Sequence, residues 1–306
     1  MNSSEHQFIG TQNKAIHYFK WEGEEKKAVV QVIHGMGEHA ARYKVLAESL
    51  IPKGYILYAN DHRGHGQTAT TIEDIGYFDD GDFWDNTQSD LKQFTALIQK
   101  ENEGLPFFII GHSMGSLLAR DYISNPINGL NGVVLSGTGG NPGLLGTIGL
   151  MISKLLATIH GRKKRSEFLR SISFGKFNKE FSPMRTKADW ISKDEAVVDL
   201  YVNDPMCSKT FTSGFWIDLL SGVKRINQKK TFDSTPNNLP IYMFSGDRDP
   251  VGDNGKGVTE VFENYKKSGT TDIQCTLYPN GRHEMLNEVN RDEVIGAMLE
   301  WFEDRL

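Results

Sequence analysis

Cysteine is nearly absent: Cys207 and Cys275 are the only two in 306 residues, in different regions and with no metal-type spacing. That excludes a disulfide framework and a cysteine-based zinc site, and it fits a reducing compartment in which both thiols serve as packing. A basic excess is also lacking. Lys and Arg number 34 against 39 Asp and Glu, a formal net charge of −5, so no global field draws the chain to nucleic acid or to an anionic membrane. No nucleic-acid partner is expected, and any membrane contact must be local. Residues 1–7 lack a basic start followed by an apolar run, so no secretory signal is read there and the cytoplasm is the expected location. The longest stretch without a charged side chain, 122–153, contains Pro126, Pro142 and many glycines and does not read as a membrane span. What is there is the balance of a folded chain, 38% hydrophobic and 24% charged, long enough to bury a core without staples.

Short apolar runs of strand type recur at 28–33, 55–59, 106–110, 132–135, 241–244 and 273–277. Each is continuous rather than alternating, as expected where both faces of a strand are covered, which predicts a parallel sheet. Stretches of helical periodicity at 42–50, 83–100, 114–123, 257–267 and 293–302 lie between them. The alternation predicts a doubly wound, mostly parallel α/β sheet, with 8–21 as an antiparallel edge hairpin. One interval, about 139–235, has no clear strand and reads as an inserted, mainly helical cap. Ligands bind outside the carboxyl ends of such strands, where an insertion of this size would cover them.

The run 106–110 leads into Gly111-His112-Ser113-Met114-Gly115 and then a helical stretch. This G-x-S-x-G between strand and helix puts a strained serine at a helix N-terminus, where small neighbours leave it room and its Oγ is raised. A serine hydroxyl needs a base, and the base needs an orienting group. Asp247 and Asp249 follow the strand 241–244, and His283 follows the strand 273–277. Asp249 is favoured over Asp247 because it lies just before Pro250, where the chain leaves the strand. Attack also requires donors for the developing oxyanion. His34-Gly35-Met36-Gly37-Glu38-His39 makes a glycine-bearing turn after the first parallel strand, so the N–H groups of Met36 and Met114 are the expected pair. Asp61-His62-Arg63-Gly64-His65-Gly66 could with His34 and His39 suggest metal, but no spacing supports it. Asp61, His62 and Arg63 are expected instead to hydrogen-bond the loops that hold the oxyanion turn.

Taken together, 34–39, Arg42-Tyr43, 61–66, 111–115 and Arg282-His283-Glu284 strongly resemble the monoacylglycerol lipase and lysophospholipase-like branch of the α/β-hydrolases, also called serine aminopeptidase-type. The likeness covers nearly the whole chain. It implies an α/β-hydrolase core in two parts, 1–138 and 236–306, around a cap at 139–235. It implies Ser113 as nucleophile, His283 as base, Asp249 as orienting acid, Met36 and Met114 as oxyanion donors, and neither cofactor nor metal. Within the cap, 189–194 and 204–207 look like the lysophospholipase-like bacterial members. A small acyl-ester or lipid substrate is implied. Short-chain carboxylesterase and serine aminopeptidase are the alternatives, the latter kept open by Asp189, Asp194, Glu195, Asp199 and Asp204. A non-catalytic hydrolase-fold binding protein would usually have lost the serine or the histidine.

Two cap features carry paired readings. Leu144, Ile148, Met151, Ile152, Leu155 and Ile159 form a stripe at helical spacing that either packs the cap onto the sheet or lines an acyl chain. Arg162-Lys163-Lys164-Arg165 is either a solvated helix end or a transient contact with an anionic membrane or headgroup.

Overall fold

In a computed structural model that describes residues 1–77 and 82–306, the chain forms eight strands, β1 (Asn2–Ile9), β2 (Ala15–Glu22), β3 (Ala28–Ile33), β4 (Tyr55–Asn60), β5 (Phe107–His112), β6 (Leu130–Ser136), β7 (Ile241–Gly246) and β8 (Ile273–Tyr278). They make one sheet of order β1-β2-β4-β3-β5-β6-β7-β8, antiparallel at β1, β2 and β4 and parallel from β4 onward. Ten α-helices accompany it among the described residues: α1 (Lys44–Leu50), α2 (Phe83–Glu101), α3 (Met114–Tyr122), α4 (Gly143–His160), α5 (Glu167–Phe174), α6 (Glu195–Asn203), α7 (Ser213–Ile226), α8 (Lys229–Ser234), α9 (Lys256–Lys267) and α10 (Arg291–Glu303).

The continuous apolar runs are explained by cover on both faces. Along β3, Val29 and Ile33 join the core with Phe94 of α2, Leu118 of α3, Phe215 of α7 and Val261 of α9. Val30 and Val32 join the opposite core with Leu46 of α1 and Met298 and Phe302 of α10. Each such side chain contributes roughly 1.5–3 kcal/mol of burial. The last run is the exception: β8 is only partly buried, because it is the edge strand and pairs on one side with β7 alone.

Helices α4–α8 fill the connection from β6 to β7. They are not one layer. Helix α7 belongs to the main core, and it lies so close to α2 that a Cβ on Gly222 would collide with the Trp84 indole. Helix α4 packs on α7 through Ile152 and Leu156, leaving Leu144, Leu145, Met151, Leu155 and Ile159 exposed. Of the predicted stripe, only Ile152 packs against the core. Residues 143–160 are long and apolar enough to cross a membrane, but both ends of this helix return to the same folded body. The basic run is also largely spent internally. Arg162 pairs with Asp218 at 2.8 Å, and Arg165 donates to the carbonyls of Ile75, Thr210 and Glu73.

Candidate active site

β5 ends at His112 and α3 begins at Met114, so Ser113 must reverse the chain by itself. It does so at φ 52°, ψ −121°, a region that side-chain-bearing residues avoid at a cost of about 1–3 kcal/mol. The turn works because the residues two positions away on either side, Gly111 and Gly115, have no side chain: a Cβ on Gly115 would run into the carbonyl oxygen of Ile33 at the end of β3. The same close approach brings in the turn after β3. A Cβ on Gly35 would stand 3.1 Å from Ser113 Cβ. Met36 therefore lines the cavity that holds Ser113, while Met114, as first residue of α3, has an N–H with no intrahelical acceptor.

The turn 34–39 is held from beneath. Glu38 Oε1 accepts the Gly35 N–H at 2.6 Å, and Arg42 donates both to Glu38 at 2.8 Å and to Glu284 at 2.7 and 2.9 Å. Burial alone would raise the Glu284 carboxyl, but the Arg42 guanidinium outweighs it and keeps it well below the usual range. One partly buried arginine thus ties the turn 34–39 to the residue beside His283.

His283 sits in the loop after β8, with Nδ1 2.9 Å from Asp249 Oδ2; both residues are buried. Asp249 is itself saturated: Ser245 Oγ donates to Oδ2 at 2.7 Å and the Val251 N–H to Oδ1 at 2.9 Å. Burial pushes the imidazole down, yet the Asp249 charge prevails and raises it above its ordinary value. Asp247 accepts the Asn280 N–H at 2.7 Å instead and is not a partner of the imidazole. Ser113, His283, Met36 and Trp190 line one cavity of about 90 Å³. Its wall also carries Arg170, Lys187 and Lys209, whereas Asp189, Asp194, Glu195, Asp199 and Asp204 lie outside it.

The histidines near this turn are used up structurally. His62 donates its backbone N–H to His34 Nε2 at 3.0 Å, His34 Nδ1 lies 2.8 Å from the Gly35 carbonyl, and His65 Nδ1 lies 3.0 Å from that of Arg63. Burial pushes His62 down to about 3 and His65 to about 4, so these rings are neutral. Asp61 and His62 support the turn 34–39, Asp61 by accepting the Ala40 N–H at 2.8 Å. Arg63 does not; it reaches Asp90 on α2 at 2.6 Å. Among the described residues, His39, Asp204 and Cys207 bring potential metal ligands within 4.8 Å of one another. Yet His39 Nε2 is bonded to Asp204 at 2.8 Å, and burial pushes the Cys207 thiol up, so the group serves as a clasp. It joins the turn 34–39 to residues 204–208, as does the 2.9 Å bond from the Ser208 N–H to the Gly37 carbonyl.

Sequence reasoning missed Trp190. Its ring lies 5.0 Å from the His283 ring, and its carbonyl accepts the His283 N–H at 3.3 Å. The only signal was the likeness of 189–194 to relatives.

A strained serine on a strand-to-helix turn, a histidine–aspartate pair in strand-end loops and this sheet order define an α/β-hydrolase. Within that class, the profile of the family described as "Serine aminopeptidase, S33" matches residues 24–290, and the chain belongs to that family. Rat monoglyceride lipase is 28% identical over 280 residues, 89% of this chain and 80% of that protein. A Haemophilus influenzae protein named "Probable lysophospholipase L2" is 23% identical over 279 residues, 89% and 82% of the two chains. The structure of a highly thermostable carboxyl esterase from Bacillus coagulans in complex with glycerol superposes with a TM-score of 0.91 at 28% identity, covering 100% of this chain and 99% of that one. The protein is a carboxylic ester hydrolase.

Proposed function

We propose that the protein hydrolyses single-chain acyl lipids of the monoacylglycerol or lysophospholipid type through an acyl-enzyme on Ser113. The observation that carries this reading is the buried 2.9 Å His283–Asp249 pair facing the same cavity as the strained Ser113. His283 takes the serine proton, Oγ attacks the ester carbonyl, and the N–H groups of Met36 and Met114 receive the oxyanion. The alcohol leaves with the proton, and water activated by the same histidine releases the acid. The connection 139–235 acts as the cap, with α4–α6 as its covering part. The protein's two free cysteines suit a reducing cytoplasm.

Cavity charge bears on the choice among substrates. An aminopeptidase would need a free acid to receive the substrate's amino group, but the cap acids lie outside the cavity and the two acids that line it, Glu38 and Glu284, are both bonded to Arg42; Arg170, Lys187 and Lys209 suit a phosphate instead. Arg170 is paired with Glu167 at 2.9 Å, which leaves Lys187 and Lys209 as the main carriers of that preference. Short p-nitrophenyl esters, a long-chain monoacylglycerol, an anionic lysophospholipid and an aminoacyl anilide test this with wild type and Ser113→Ala. Serine-dependent turnover is expected on the long-chain lipids and not on the anilide, and Lys187→Glu with Lys209→Glu should lower kcat/KM about tenfold for the anionic lipid only. Anilide turnover exceeding that of the lipids would replace this reading with a peptidase.

Such substrates reside in bilayers, and the bare face of α4 fits a membrane surface. Leu145 is 80% exposed and Met151 66%, and Lys163 and Lys164 follow the C-terminal end of the same helix. Wild type is expected to float with anionic liposomes, and Leu145→Glu/Met151→Glu/Leu155→Glu to stay in the soluble fraction with its activity on a water-soluble ester intact. Equal partitioning of both proteins would exclude α4 as the contact.

A further inference from the structure

The proposed base is built partly by the cap connection. Asp189–Ser192 runs beside the loop of His283: the Glu284 N–H donates to the Ile191 carbonyl at 2.7 Å, and Arg282 donates to the carbonyls of Ser192, at 2.9 Å, and Asp189. This fixes Trp190 against the imidazole, with ring centroids 5.0 Å apart and planes inclined at 35°. The indole is itself immobilised. Phe174 stacks on it at 6.1 Å and 12°, Phe177 meets it edge-on at 5.2 Å, and its backbone N–H donates to Asn178 Oδ1 at 2.9 Å.

We propose that Trp190 is a positioning residue for the base, holding the His283 ring toward Asp249 and favouring its charged form over its neutral one. The assignment rests on the proposed role of His283. In the step concerned, the Ser113 Oγ–H proton moves to His283 Nε2 as the Oγ–C bond forms and the carbonyl π pair moves to oxygen; the proton then passes to the departing alcohol oxygen. Imidazolium exists only between these transfers. An aromatic face attracts a cation and does little for the neutral ring, so the indole acts where charge develops. The other groups facing His283 leave room for this effect. Asp249 pairs with Nδ1, Glu284 and Glu38 add negative field but are both tied to Arg42, and His112, 4.8 Å away, is kept neutral by burial and so does not repel.

Trp190→Leu and Trp190→Met remove the π face, and Trp190→Phe keeps one. With a short p-nitrophenyl ester, the first two are expected to lower kcat about three- to thirtyfold and to move the midpoint of the kcat/KM–pH profile about half to one unit to the acid side. Trp190→Phe should stay within about threefold of wild type, its midpoint shifting by less than either. A higher KM with kcat and midpoint unchanged would make Trp190 only a pocket wall and overturn the proposal. Lower kcat at an unmoved midpoint would overturn it equally. Trp190→Met serves should Trp190→Leu fail to fold, and the Trp190→Phe midpoint alone decides should both fail. Wild-type turnover that survives Ser113→Ala or His283→Ala would instead refute the serine mechanism itself, a result separable from any of these.

Discussion

Replacing Ser113 by alanine is expected to lower kcat by about 10⁶-fold, and replacing it by glycine to do the same while making the protein more stable. The loss follows from chemistry: without Oγ, His283 has no nucleophile to activate, and only binding and the oxyanion donors remain. The gain follows from the backbone. Ser113 sits at φ 52°, ψ −121°, because β5 must turn into α3 in a single residue while Gly115 presses against Ile33. Glycine adopts that conformation freely and alanine does not, so Ser113→Gly should gain about 1–3 kcal/mol and Ser113→Ala little. Thermal unfolding of the three proteins, beside turnover of a p-nitrophenyl ester, checks both halves. A glycine variant no more stable than the alanine one would mean that the turn is not strained. More than 1% residual turnover in either would remove Ser113 from the nucleophile's role.

That turn was legible in the sequence because its requirements are local: an apolar strand, two glycines at fixed spacing and a helix. The strands 28–33 and 241–244 were legible for a similar reason, since cover on both faces makes them almost continuously apolar, Gln31 alone breaking the first run and being buried against the Thr95 hydroxyl. β8 departs from its reading because position in the sheet, not composition, decides that it is an edge. Helix α4 is the instructive failure. Periodicity reveals an apolar face but not what lies opposite, and α4 meets the body through Ile152 and Leu156 on α7, leaving most of the predicted stripe bare. Arg162 and Arg165 look solvated in the sequence, yet fold back onto Asp218 and onto carbonyls of distant segments. Trp190 was out of reach on similar grounds. It is brought to His283 by hydrogen bonds between two irregular segments that no spacing rule connects.

Between the two aspartates, Asp249→Asn is expected to lower kcat by about 10⁴-fold and Asp247→Asn to change it by less than about fivefold. An asparagine at 249 keeps the shape, but it presents no charge to His283 Nδ1 and can offer an N–H in place of an acceptor. The ring can then be held in the tautomer that cannot take the serine proton. Asp247 accepts the Asn280 N–H at 2.7 Å, and its neutralisation touches a turn rather than the base. The pH profile should separate the two variants further. In wild type the Asp249 charge overcomes burial and raises His283, so kcat/KM should rise with pH through a midpoint above 6.5. Loss of that charge leaves burial in command, and the Asp249→Asn midpoint should fall below 6.5 while that of Asp247→Asn stays in place. The stability sign is opposite to that of activity. A histidine raised in the folded state stabilises the protein below its unfolded value and loses that contribution as pH climbs through the folded one. The unfolding free-energy gap between wild type and Asp249→Asn should therefore be wider at pH 6 than at pH 9, measured by denaturant titration. A gap that widens toward pH 9, or a midpoint that moves in Asp247→Asn instead, would transfer the orienting role away from Asp249.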